Sequence, residues 1–168
     1  FARYQRADGL GLKDVLDGPD RDDLALRPNQ IFAVSLPHSP LTPAQQREVV
    51  TRCGQELLTS YGLRSLGQRE PAYQPHYLGG VYERDAAYHQ CTVWGWLLGH
   101  YALAEYKVTG DRRLAVQRLQ PLGDHLATAG LGQISEIFDG APPHHPRGAP
   151  AQAWSVACTL EAWLRLQQ

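Results

Sequence analysis

Thr92-Val93-Trp94-Gly95-Trp96-Leu97-Leu98-Gly99-His100-Tyr101-Ala102-Leu103-Ala104-Glu105-Tyr106-Lys107 decides how this chain is read. Apolar residues occupy nearly every direction around a helical wheel, the pattern of a helix buried on most sides. Gly110 is placed to end it. A helix of that kind needs partners on both flanks, and its neighbours supply candidates. Downstream, Asp111 can cap an amphipathic helix through Leu114 and Val116, which Pro121 is expected to kink or divide. Upstream, Thr42-Pro43-Ala44-Gln45 has the form of a capping box with Pro in the first turn, opening a helix to about Leu58. A short helix is expected after Arg27-Pro28, and a final one after Pro150 with Ala153, Ala157, Leu160 and Leu164 on one face. Residues 59–84, rich in Gly, Pro and Tyr, read as a long ordered loop without regular structure. The expected class is all-α. About five helices cannot close a ring around members buried this deeply, so the chain reads as one part of a larger helical assembly.

Composition narrows the function classes. Of 168 residues, 43% are apolar and 20% charged, an ordinary globular balance for a single domain. Sixteen Lys and Arg against seventeen Asp and Glu leave a net charge of −1, which gives no electrostatic reason to expect nucleic acid or an anionic membrane. Neutral sugars remain compatible. The three cysteines, Cys53, Cys91 and Cys158, are odd in number and lack CxxC spacing; reduced thiols in the cytoplasm are the expectation. No stretch approaches the roughly 18 apolar residues of a membrane span. The sequence contains no Met and begins at Phe1, so a fragment or processed product is expected.

The chemistry-bearing residues fall in a few segments. In Gly132-Gln133-Ile134-Ser135-Glu136-Ile137-Phe138-Asp139-Gly140, a carboxylate sits between apolar neighbours in a Gly-bounded loop. A Glu held that way can act as general base, although a loop Glu capping a helix or pairing with Arg147 has the same spacing. Arg27, Asn29 and Gln30 open a short helix, and Arg64 lies in the Tyr-rich loop. His89, Gln90, Trp94 and Trp96 precede or open the buried helix. Indoles offer flat apolar faces to sugar rings, and Arg, Asn, Gln and His supply directional bonds to neutral hydroxyls. Core packing would account equally for the indoles, and a local ion pair for either arginine. His38 and His76 read as loop-surface residues. No HExxH, phosphate-binding Gly-rich loop or GxSxG elbow occurs, so neither a metal nor another cofactor is expected.

Five collinear segments together resemble the amylo-α-1,6-glucosidase domain at the C-terminus of glycogen debranching enzymes. They are Leu26-Arg27-Pro28-Asn29-Gln30-Ile31-Phe32-Ala33-Val34-Ser35, Tyr61-Gly62-Leu63-Arg64-Ser65-Leu66, Tyr88-His89-Gln90-Cys91-Thr92-Val93-Trp94-Gly95-Trp96-Leu97, Gly132 to Gly140, and His144-His145-Pro146-Arg147-Gly148 leading into Ala151-Gln152-Ala153-Trp154-Ser155. The resemblance implies the C-terminal portion of an (α/α)6 double-ring helical barrel over residues 1–168, with the ring incomplete. It implies hydrolysis of α-1,6-linked glucose with inversion, on a glycogen-derived α-glucan. Glu136 matches the general base. Arg27, Asn29, Gln30, Arg64, His89, Gln90, Trp94, Trp96 and Asp139 are the implied substrate-binding set.

Three departures from that pattern stand out. The family's general acid lies in an upstream Trp-Met-Asp segment that this Met-free chain lacks. Cys91 and Gly95 stand where the family usually has Gly and Pro, and Ala141 where an acidic residue is common. Glu83, Asp85 or Asp139 is a candidate stand-in acid within the chain, but no sequence pattern supports any of them. A helical fragment without activity, binding α-glucan or pairing with another subunit or with itself, is the competing expectation.

Overall fold

A computed structural model describes residues 1–90, 92–129 and 131–168. Among the described residues there are six α-helices: α1 (Phe32–Ser35), α2 (Pro43–Glu56), α3 (Val81–Ala87), α4 (Trp96–Thr109), α5 (Arg112–His125) and α6 (Ala153–Arg165). Short 3-10 turns cover Ala2–Tyr4 and Pro28–Ile31.

The chain is mostly helical, but the all-α expectation needs correction. Four two-residue strands, β1 (Leu63–Arg64), β2 (Val93–Trp94), β3 (Ile137–Phe138) and β4 (Pro146–Arg147), form one antiparallel sheet in chain order. Trp94 pairs with Leu63 on one side and Ile137 on the other, and Ile137 also faces Arg147. Trp94 therefore belongs to a strand and not to the helix predicted from Thr92. The sheet clamps four distant loops together at the N-terminal end of α4.

Helix α4 is apolar all round because it divides two cores. Leu97, Tyr101 and Ala104 pack with Ile31, Val34, Val49, Val50 and Cys53 from the turn, α1 and α2. Leu98, Ala102 and Leu103 pack with Ala115, Leu119 and Leu122 of α5, and with Ala162 of α6 and Leu166 beyond it. Gly99 permits the closest approach, since a Cβ there would collide with the Cys158 carbonyl of α6. Gly110, at φ 72°, ends the helix with its N–H on the Tyr106 carbonyl. Arg118 binds the buried Glu105 carboxylate through two bonds of 3.0 Å, joining α5 to α4.

The predicted caps hold. Thr42 and Gln45 form a reciprocal capping box, and Asp111 accepts from the Leu114 N–H at 2.9 Å. Two details differ. Pro121 lies inside α5, which runs on to His125 without a break. On α6 the buried residues are Ser155 and Ala162, while Ala153, Ala157, Leu160 and Leu164 face outward. That outward side exposes Trp154 at 51%, Leu160 at 52%, Trp163 at 45% and Leu164 at 49%. No helix is long and apolar enough to cross a membrane among the described residues.

Candidate active site

Glu136 immediately precedes β3, and the strand pairing brings the segment after β4 against it. Its N–H donates to the Ala149 carbonyl at 2.9 Å, and the Ala149 N–H donates to Glu136 Oε2 at 2.8 Å. The Tyr88 hydroxyl donates to the other oxygen, Oε1, in a short bond. The half-buried carboxylate is thus held at both ends. Gly148 (φ 66°) makes the close passage possible, because a Cβ at that position would overlap Glu136 Oε2. Burial, followed by the bond to Glu136 and its charge, raises the Tyr88 hydroxyl well above its ordinary value, so it remains a donor.

A groove of about 350 Å³ is lined by Arg27, Asn29, Ser65, His89, Trp94, Trp96, Leu97, Pro28 and Trp154, and Glu136 is not among its lining residues. Tyr88 links groove and carboxylate, since its ring meets Trp94 edge-on with centroids 5.0 Å apart. His89 stacks on Trp94 at 5.7 Å and 7°. Trp96 stacks with Phe32 and with Trp154, both at 5.6 Å. The aromatic faces largely cover one another, leaving Trp154 as the half-exposed indole of the row. Ser65 is buried in the wall, and its hydroxyl has no partner within the described protein.

Arg27 organises the groove's polar side. It donates to the carbonyls of Ser65 at 3.0 Å and His89 at 2.7 Å and to Gln90 Oε1 at 3.1 Å, and it lies 3.6 Å from Asp14. Asn29 donates to Asp14 at 3.0 Å. Gln30 is turned inward, donating to the Arg27 carbonyl and accepting from the Leu12 N–H.

Gln30, Gln90, Arg64 and Asp139 of the predicted set are not among the groove's lining residues. Arg64 is buried and donates to the Gly140 carbonyl at 2.9 Å, bracing the turn after β3. Asp139, 1% exposed, accepts from Arg147 at 3.2 and 2.9 Å and from the Tyr77 N–H at 2.9 Å, with His76 3.6 Å away. Burial pushes the Asp139 carboxyl up, but the Arg147 guanidinium, the Tyr77 amide and His76 together pull it below the ordinary value. Arg147 therefore pairs with Asp139 and leaves Glu136 free of it. An ionised Asp139 bound in this way is a poor proton donor. Glu83 and Asp85 lie exposed on α3.

His144 is half-buried with Nδ1 on the Asp139 carbonyl at 2.9 Å, while the adjacent His145 is exposed. His38 and His76 are exposed. No group of three potential metal ligands is assembled among the described residues. Gly95, in place of Pro, has φ −62°, the value a proline ring would impose. The Cys91 substitution lies outside the described residues.

Tyr88, Ser65, Gly148 and Trp154 are the site residues that sequence reasoning missed. Tyr88 and Trp154 each stand in a segment that carried the family resemblance, next to residues already singled out. Ser65 follows Arg64 directly, but nothing in its neighbours distinguishes it.

Residues 1–161 match the family described as amylo-alpha-1,6-glucosidase. The glycogen debranching enzyme of Saccharomyces cerevisiae is 26% identical over 175 aligned positions, covering 89% of this chain and 11% of the yeast protein. The chain thus spans about a ninth of the length of that relative. It belongs to the amylo-alpha-1,6-glucosidase family.

Proposed function

We propose that this chain is the C-terminal portion of a glycogen-debranching glucosidase, and that Glu136 is the general base for inverting hydrolysis of an α-1,6-linked glucose. The observation that carries the reading is a carboxylate held at both oxygens and joined through Tyr88 to a groove of indoles, Arg27 and uncharged polar groups. Arg27, Asn29, His89, Trp94 and Trp96 form the walls that receive the glucose, with Trp154 alongside. Gln30, Gln90, Arg64 and Asp139 act one step back, by holding these segments in place.

Inversion requires a second carboxyl about 6.5–9.5 Å from Glu136, with water on the Glu136 side. The reading assigns that acid to sequence outside this chain. It also places the chain within an (α/α)6 double ring, whose further helices would pack against the outward side of α6.

The test is glucose release from a glucosyl-branched maltooligosaccharide by the full-length protein that carries this chain, compared with its Glu136→Gln variant. A loss of about a hundred- to ten-thousandfold is expected. Equal release by both would overturn the assignment. A second reading, α-glucan binding without hydrolysis, is favoured by one observation: the described lining of the groove includes no Asp or Glu. Binding of the oligosaccharide without glucose release from the parent protein would establish that reading instead.

A further inference from the structure

The two donors that hold Glu136 come from independent parts of the chain. Ala149 follows β4, whereas Tyr88 closes α3. An ionised carboxylate offers about four lone-pair positions. Two bonds fix its plane and leave positions open for water.

Tyr88 is itself firmly braced. Its ring meets Trp94 at 5.0 Å and His89 at 4.9 Å, both edge-on, and tilts against Tyr77 at 5.9 Å. Its carbonyl accepts from Thr92 Oγ1 at 2.5 Å. The phenol therefore has little rotational freedom, and its hydroxyl is directed at Glu136. Tyr88 is not among the residues that line the groove, so it has no direct part in holding a sugar there.

We infer that Tyr88 is a positioning residue for the Glu136 base: its hydroxyl aims the carboxylate, and its ring ties that aim to Trp94 in the groove wall. This rests on the reading of Glu136 as base. In the step concerned, a water oxygen bonds to the anomeric carbon as its proton passes to Glu136. The bond to the leaving group breaks, and its electron pair departs with that group. Tyr88 keeps its own proton throughout.

The test uses the full-length protein and α-D-glucosyl fluoride. Fluoride leaves without being protonated, so the general-acid half of the reaction drops out. Four proteins are compared: the parent, Tyr88→Phe, Glu136→Gln and the double variant. Tyr88→Phe keeps the ring that packs on Trp94. It is expected to lower kcat roughly tenfold to a hundredfold, the effect of losing a hydrogen bond to a charged group, with KM within about twofold. In the Glu136→Gln background the same change is expected to cost nothing more.

An unimpaired Tyr88→Phe beside an impaired Glu136→Gln overturns this inference and leaves the base assignment standing. So does an equal loss from Tyr88→Phe in both backgrounds, which would mark a merely structural tyrosine. An unimpaired Glu136→Gln overturns the base assignment, and this inference falls with it. If Tyr88→Phe does not fold, 3,5-difluorotyrosine at position 88 replaces it, keeping ring and hydroxyl with a more acidic phenol. The rate should then fall as that phenol ionises, at a pH where the parent is unaffected; a profile matching the parent overturns the inference.

Discussion

The guanidinium of Arg147 holds the buried carboxylate of Asp139 through two bonds, of 3.2 and 2.9 Å, at the corner where β3 and β4 meet. The pair fixes the strand crossing that delivers Ala149 to Glu136. Arg147→Ala would leave a buried charge without its main partner and is expected to cost about 3 kcal/mol of stability. Urea denaturation of Arg147→Ala and the parent checks this, and a difference below about 1 kcal/mol would contradict it.

Gly148 passes so close to Glu136 Oε2 that a methyl group would displace the carboxylate, and its φ of 66° disfavours any side chain. Gly148→Ala is expected to lower kcat on the branched oligosaccharide by at least about tenfold, because Glu136 loses its aim. Wild-type kcat in Gly148→Ala would show that the carboxylate has room to adjust.

Three histidines couple the fold to acid. Burial lowers His100, His125 and His144 below the ordinary imidazole value. His125 Nε2 lies 3.1 Å from Ser135 Oγ and accepts from the Ser135 N–H at 3.4 Å, next to Glu136. A group with a lowered folded value binds its proton more readily in the unfolded chain. Its contribution is therefore complete above about pH 6.5 and is lost as the pH falls below that. Asp139 acts in the same direction at lower pH, where its depressed carboxyl takes up a proton. Denaturation midpoints should fall between about pH 7.5 and about pH 5, and a rise over that interval would contradict the account.

The outward side of α6 carries Trp154, Leu160, Trp163 and Leu164, each about half exposed. Apolar surface arranged on one face drives association. The isolated chain is expected to sediment as more than a monomer, and Leu160→Glu with Trp163→Glu to shift it toward one. A clean monomer that binds no apolar dye would contradict this.

Local rules made much of this fold readable. The Thr42–Gln45 box, the Asp111 cap and Gly110 are each decided within four residues, and all three behave as their chemistry predicts. The sheet was not readable, because two-residue strands are too short to display a period of two. Its pairing is fixed by tertiary contact, as Trp94 between Leu63 and Ile137 illustrates. Pro121 failed to divide α5 because it sits in the last turns, where the missing N–H removes one bond from a helix already packed through Leu119 and Leu122. The face of α6 was misjudged because small residues decide it: Ala162 fits where Gly99 brings two backbones together and Ser155 lies against Gly95, where bulky Leu does not fit. At the site, Glu136 stood out by its apolar frame, whereas Tyr88 reaches it across 48 positions that no local pattern connects.

The most direct test of Glu136 is proton NMR of the glucose released from a glucosyl-branched maltooligosaccharide in the first minutes of reaction, for the full-length protein and its Glu136→Gln variant. The account predicts β-glucose as the first product of the parent and release at least about a hundredfold slower from the variant. First-formed α-glucose, or equal release by the two proteins, would contradict it.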